Sequence, residues 1–136
     1  MMTKKYLMAI LAVFVGMGII EFLINEVGLR GLYAETAFLW RPESDIRALS
    51  WLMFVSYAVF ALVFVTIFKR GYEENKPGLG QGIRYGLLIG LLVSAPMALG
   101  CYVVMPIPVM LAVAWFVGGM AEMIVLGALA GWVWKK

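Results

Sequence analysis

Apolar residues in this chain fall into four long runs separated by short polar stretches. Tyr6 to Ile24, Trp51 to Phe68, Tyr85 to Val104 and Leu111 to Trp134 are almost free of charge. A helix of ~20 apolar residues, rising ~1.5 Å per residue, crosses a hydrocarbon core of ~30 Å. The pattern predicts an all-α, polytopic membrane protein: one domain over residues 1–136, built as a four-transmembrane-helix bundle with spans over 6–28, 43–69, 84–105 and 109–134.

Punctuation supports these limits. Lys4 and Lys5 before an apolar run also begin a signal peptide, but this run is long and no small-residue cleavage site follows it, so a retained helix is expected. Arg41-Pro42-Glu43-Ser44-Asp45 puts proline and acids in the first turn of the second helix, which starts above the membrane. Pro106 and Pro108 end the third helix and restart the fourth, giving a tight hairpin. Residues 71–78 read as a solvated turn. In the first loop, residues 25–50, the aromatic stretch Leu32 to Trp40 reads either as an interfacial amphipathic helix or as a cap over the helix ends.

Composition agrees. Hydrophobic types make up 64% of the chain and charged types 14%, with mean hydropathy +0.95. A soluble domain has roughly a quarter of its residues charged. Histidine is absent, and the single cysteine, Cys101, permits no intrachain disulfide and reads as a small buried hydrophobe. There is no Walker-type loop and no Gly-x-Ser-x-Gly motif, so neither enzyme activity, cofactor nor resident metal is expected. The net charge of +3 is no sign of a nucleic-acid partner.

Where the charges stand is more informative. Lys4, Lys5, Lys69, Arg70, Lys76, Arg84, Lys135 and Lys136 fall on one side, and only Arg30, Arg41 and Arg47 on the other. The positive-inside rule then puts both termini and the middle loop in the cytoplasm of a bacterial inner membrane. Trp132, Trp134 and Tyr85 suit the inner interface, and Trp40, Trp51 and Tyr102 the outer one.

Small residues recur every fourth position in the third helix, at Gly82, Gly86, Gly90, Ser94 and Ala98, with Gly118 and Gly119 in the fourth. Such ridges let helix backbones approach closely where lipid gives no hydrophobic drive. The partner helix may be sought in the same chain or in a second copy, and a homo-oligomer is expected alongside the lipid bilayer.

Glu21 and Glu122 lie inside apolar helices, each three residues after a glycine, at similar depth; Asn25 follows Glu21 by one turn. An ionised carboxylate at the bilayer centre costs at least ~2.5 kcal/mol, so intramembrane acids invite a functional reading. Three readings are open: a neutral, hydrogen-bonded structural pair; proton or cation sites used in transport, with a small cationic solute as partner; or a static metal site.

The series Tyr33, Thr36, Leu39-Trp40-Arg41-Pro42, then Tyr85 to Gly90, then Pro106-Ile107-Pro108 with Trp115-Phe116 and Glu122, resembles a group of small uncharacterised bacterial four-helix integral membrane proteins. In size, helix number and first-helix glutamate the chain is also similar to small multidrug resistance transporters, from which its long first loop and Glu122 depart. Two functions follow as expectations: a proton- or cation-coupled transporter or channel using intramembrane glutamates, or a non-transporting accessory protein that packs against partner helices.

Overall fold

A computed structural model describes residues 2–135; Lys136, one of the basic residues counted above, lies outside the described residues. Helix α1 (Met2–Phe22) runs into a π-helical turn (Leu23–Gly28), and the first loop holds α2 (Arg30–Glu35), a 3-10 turn (Ala37–Leu39) and α3 (Glu43–Leu49). Helices α4 (Trp51–Gly71), α5 (Gly78–Val104) and α6 (Val109–Trp134) complete the chain. α1 with its π turn, α4, α5 and α6 are each long and apolar enough to cross a membrane. Their outward faces expose large apolar side chains such as Leu88, Leu92 and Val103, the surface a bilayer covers.

Two limits differ from expectation. The second span is not one helix from 43: Ser50 separates α3 from α4. The Ser50 hydroxyl and N–H both donate to Arg47 O, and Met53 N–H donates to Ser50 O, so one turn takes i→i+3 bonds. The third span begins at Gly78, not at 84, because Pro77 ends the turn and its carbonyl accepts the first helical bond from Gln81 N–H. Arg84, where the span was expected to begin, lies six residues inside the helix.

α5 and α6 make the tightest pair. Gly78, Gly82, Gly86, Gly90, Ser94 and Ala98 are all buried on α5. A Cβ on Gly82 would strike the Gly127 carbonyl, and one on Gly86 the Met123 carbonyl. Further along, Gly90 meets the Met120 sulfur, and a Cβ on Gly119 would strike the Ser94 hydroxyl. The ridge is therefore filled within the chain, by α6. On its other side α6 packs on α1, where Leu126 and Leu129 fill the space over Gly16. α1 in turn packs on α4, with Tyr6 Oη and Thr66 Oγ1 2.6 Å apart.

The termini share one end of the bundle, where Lys5 Nζ donates to Lys135 O. Here α4 and α5 meet: Tyr85 Oη donates to Phe64 O at 2.6 Å, and Phe64, Phe68, Tyr72, Trp134 and Tyr6 form a connected aromatic cluster. Trp134, only 6% exposed, and Tyr85 thus face into the bundle instead of forming an interfacial belt; Trp132 stays exposed, with Lys135 Nζ over its ring. At the opposite end the first loop folds over the α5–α6 hairpin. Leu29, Ile107 and Leu111 are buried there beneath Leu32, Leu39 and Trp40. The aromatic stretch is a cap over the helix ends.

Candidate functional site

Glu21 sits in the last turn of α1, just before the π turn. The wider turn, closed by Leu29 N–H donating to Ile24 O at 2.8 Å, ends the span and lets the chain turn back over the bundle. Asn25 Nδ2 donates to Glu21 Oε2 at 2.7 Å and to Glu21 O at 3.0 Å. Its Oδ1 accepts from Tyr33 Oη at 2.6 Å, and that oxygen accepts from Trp115 Nε1 at 2.8 Å. Both oxygens facing Nδ2 are acceptors, so the amide orientation is settled. The result is a one-directional chain, Trp115 to Tyr33 to Asn25 to Glu21, tying α6 and the cap to the carboxylate. Successive bonds of this kind polarise one another.

Glu122 is placed differently. It is 4% exposed on α6, and its Oε1 accepts from no N–H or hydroxyl among the described residues, while the carboxyl as a whole is within hydrogen-bonding reach of Glu21. An unpaired buried acceptor costs about 1–3 kcal/mol, so native proteins nearly always satisfy such groups. The glycines before the two acids also differ. Gly119 lies hard against Ser94, and Gly118 against Ile24, whereas Gly18 has nothing within 4 Å. Close backbone approach therefore occurs beside Glu122 and not beside Glu21.

Glu21, Asn25 and Glu122 line one cavity of about 940 Å³, and the two carboxyl groups are near enough to act on each other directly. The cavity separates the cap-side half of α4, which gives Met53 and Phe60, from that of α5, which gives Met97 and Cys101. Cys101 is thus a half-buried wall residue and not a sealed core hydrophobe. The packing residues Gly82 and Gly86 lie away from the cavity, on the α5–α6 seam, while Ser94 and Gly119 line it.

Sequence reasoning missed Tyr33, Trp115, Arg30 and Arg41 as site residues. In the sequence Arg30 marks only sidedness, and Arg41 also belongs to a polar helix start that could meet headgroups or a substrate; both line the cavity from the capping segment. Neither forms an ion pair or hydrogen bond among the described residues, whose ion pairs are Arg47–Glu43 and Lys76–Glu73. Tyr33 lies beyond the helix end, where no periodicity relates it to Asn25. Among the described residues no three His, Cys, Asp or Glu side chains converge as metal ligands. Comparison with family models, with curated proteins and with solved structures finds no match.

Proposed function

We propose that this protein takes a solute with a cationic group into its bundle and exchanges it against protons at Glu21 and Glu122. The observation that carries this is the buried Glu122 oxygen, which accepts from no N–H or hydroxyl among the described residues, beside a second carboxyl in a large intramembrane cavity. Such an oxygen is completed by a proton shared with the neighbouring carboxyl or, in exchange, by a ligand N–H or other cation, which is the chemistry of an exchange site. Glu21 has a different part. Its hydrogen-bond chain holds it as the fixed acceptor, so Glu122 is the group whose partner changes during the cycle. On this reading, which the charge bias supports, the cap faces outside a bacterial inner membrane, the termini are cytoplasmic and the cavity receives solute from outside.

One observation favours binding without passage. The aromatic cluster around Trp134 closes the termini end, and a carrier must open it. Flux into proteoliposomes separates the two. Expected is proton movement driven by a gradient of an added cationic solute such as choline, which Glu122→Gln abolishes and Glu21→Gln strongly reduces. Carbodiimide at neutral pH should label Glu122 and block the same movement. Flux equal to that of empty vesicles, with both glutamine variants folded and unlabelled, would leave a binding protein or a structural pair.

A further inference from the structure

We propose that the cavity takes a zwitterion, with an ammonium group at Glu122 and Glu21 and a phosphate at Arg30 and Arg41. This rests on the proposed function and names its substrate class. The cavity is itself bipolar. Its deep wall holds two carboxyl groups, one with an oxygen that accepts from no N–H or hydroxyl among the described residues. Its cap-side rim holds two arginines with no partner among the described residues. Glu26 also lines the rim, and no ion pair joins it to Arg30 although the two are one turn apart in sequence.

A simple cation would pass two unpaired guanidinium groups to reach the acids, and a simple anion held at the rim would leave Glu122 with only its fellow carboxyl. A ligand with both charges meets each end with its complement, which is where electrostatics confer selectivity. Arg30 follows Glu21 by nine residues across the π turn, and both side chains line the same cavity. Tyr33, Trp40 and Trp115 line the same cavity, and aromatic rings attract a desolvated ammonium.

Such a group arises in a free solute or in a lipid headgroup, and the gap between α4 and α5 gives the latter a route from the bilayer. Both sources are tested with the full chain in an uncharged maltoside detergent. The signal is tryptophan fluorescence, since Trp40 and Trp115 line the cavity. The probes are phosphocholine, choline, inorganic phosphate and dihexanoylphosphatidylcholine. Phosphocholine or its lipid form should bind roughly tenfold or more tighter than choline or phosphate, and the better of the two identifies the source. Glu122→Gln, and Arg30→Gln with Arg41→Gln, should each weaken that binding by roughly tenfold. The arginines are exposed and unpaired, so their variants should keep the parent melting temperature, which is recorded for every variant. If choline binds as tightly as phosphocholine and the arginine variants change nothing, the zwitterion inference is wrong while proton flux through Glu122 still stands. If neither zwitterionic probe binds, the inference is also wrong, and flux decides the proposed function separately.

Discussion

Tyr33 joins three elements through one hydroxyl, donating to Asn25 and accepting from Trp115. Tyr33→Phe keeps the ring against Trp40 but leaves an amide oxygen and an indole N–H unpaired, at a cost of about 1–3 kcal/mol. A lower melting temperature and a shifted tryptophan emission should report it; no change in either would mean the cap stands without the chain. The pH response follows from the same contact. Burial pushes the Tyr33 phenol above its ordinary 10.0, opposed by the Trp115 hydrogen bond and helped by Glu21 and Glu26. The folded protein therefore holds this proton more tightly than the unfolded chain does. The contribution is complete below pH 10.0 and is lost as pH rises through the higher folded value. Fluorescence of the cap should be flat from neutral to mildly alkaline pH and change only beyond that. A transition near neutrality that Tyr33→Phe removes would contradict this. Arg47–Glu43, about four-fifths exposed on both sides, adds little to stability by comparison.

Among the elements, the α5–α6 seam offers the sharpest contrast, because glycines of one helix meet different surroundings. Gly86→Ala puts a methyl group into the Met123 carbonyl and the α6 backbone, which cannot move aside as a side chain would. Overpacking of this kind costs about 1–3 kcal/mol or more. Gly100→Ala, on the same helix with nothing within 4 Å, should be neutral or stabilising by up to ~1 kcal/mol through helix propensity. Thermal unfolding of the two variants checks the pair, and equal melting temperatures would show that the seam is not tightly closed. Small residues every fourth position made this ridge legible in the sequence. Its partner was not, since Gly127 and Gly131 show the same spacing as any lipid-facing or oligomeric stripe. The break at Ser50 was also hidden, because a serine in an otherwise helical pattern reveals its back-bonding only in three dimensions.

Across the whole molecule, the cavity is lined from the cap by Leu39, Trp40 and Arg41 while the aromatic cluster around Trp134 packs the other end, and access from the two sides is testable with the native cysteine. Cys101 is the only thiol in the chain and lines the cavity. A membrane-impermeant maleimide should label it from the cap side, at a rate that carbodiimide treatment of Glu122 lowers, and not from the termini side. Labelling from the termini side alone would reverse the access assigned to the cavity. A reporter fused after Lys136 should be cytoplasmic and one inserted near Glu35 external; the opposite result would invert the proposed orientation while leaving the fold unchanged.

Apolar run length, proline placement and small-residue spacing are local properties, and a bilayer enforces them: every backbone polar group in lipid must be bonded within its own helix. The four helices, the hairpin and the ridge could therefore be read from the chain alone. So could the two acids and the face shared by Glu21 and Asn25, since one helical turn relates them. What depended on tertiary structure was the company these residues keep. Arg30, Arg41 and Tyr33 reach the cavity only because the π turn folds the chain back over α6, and Cys101 lines it because α4 and α5 part above Tyr85. The unequal surroundings of Glu21 and Glu122, one held by a chain of side chains and one buried with an oxygen that meets only its fellow carboxyl, arise where α1, the cap and α6 come together. Periodicity places a residue on a face of its own helix, and only packing decides what that face meets.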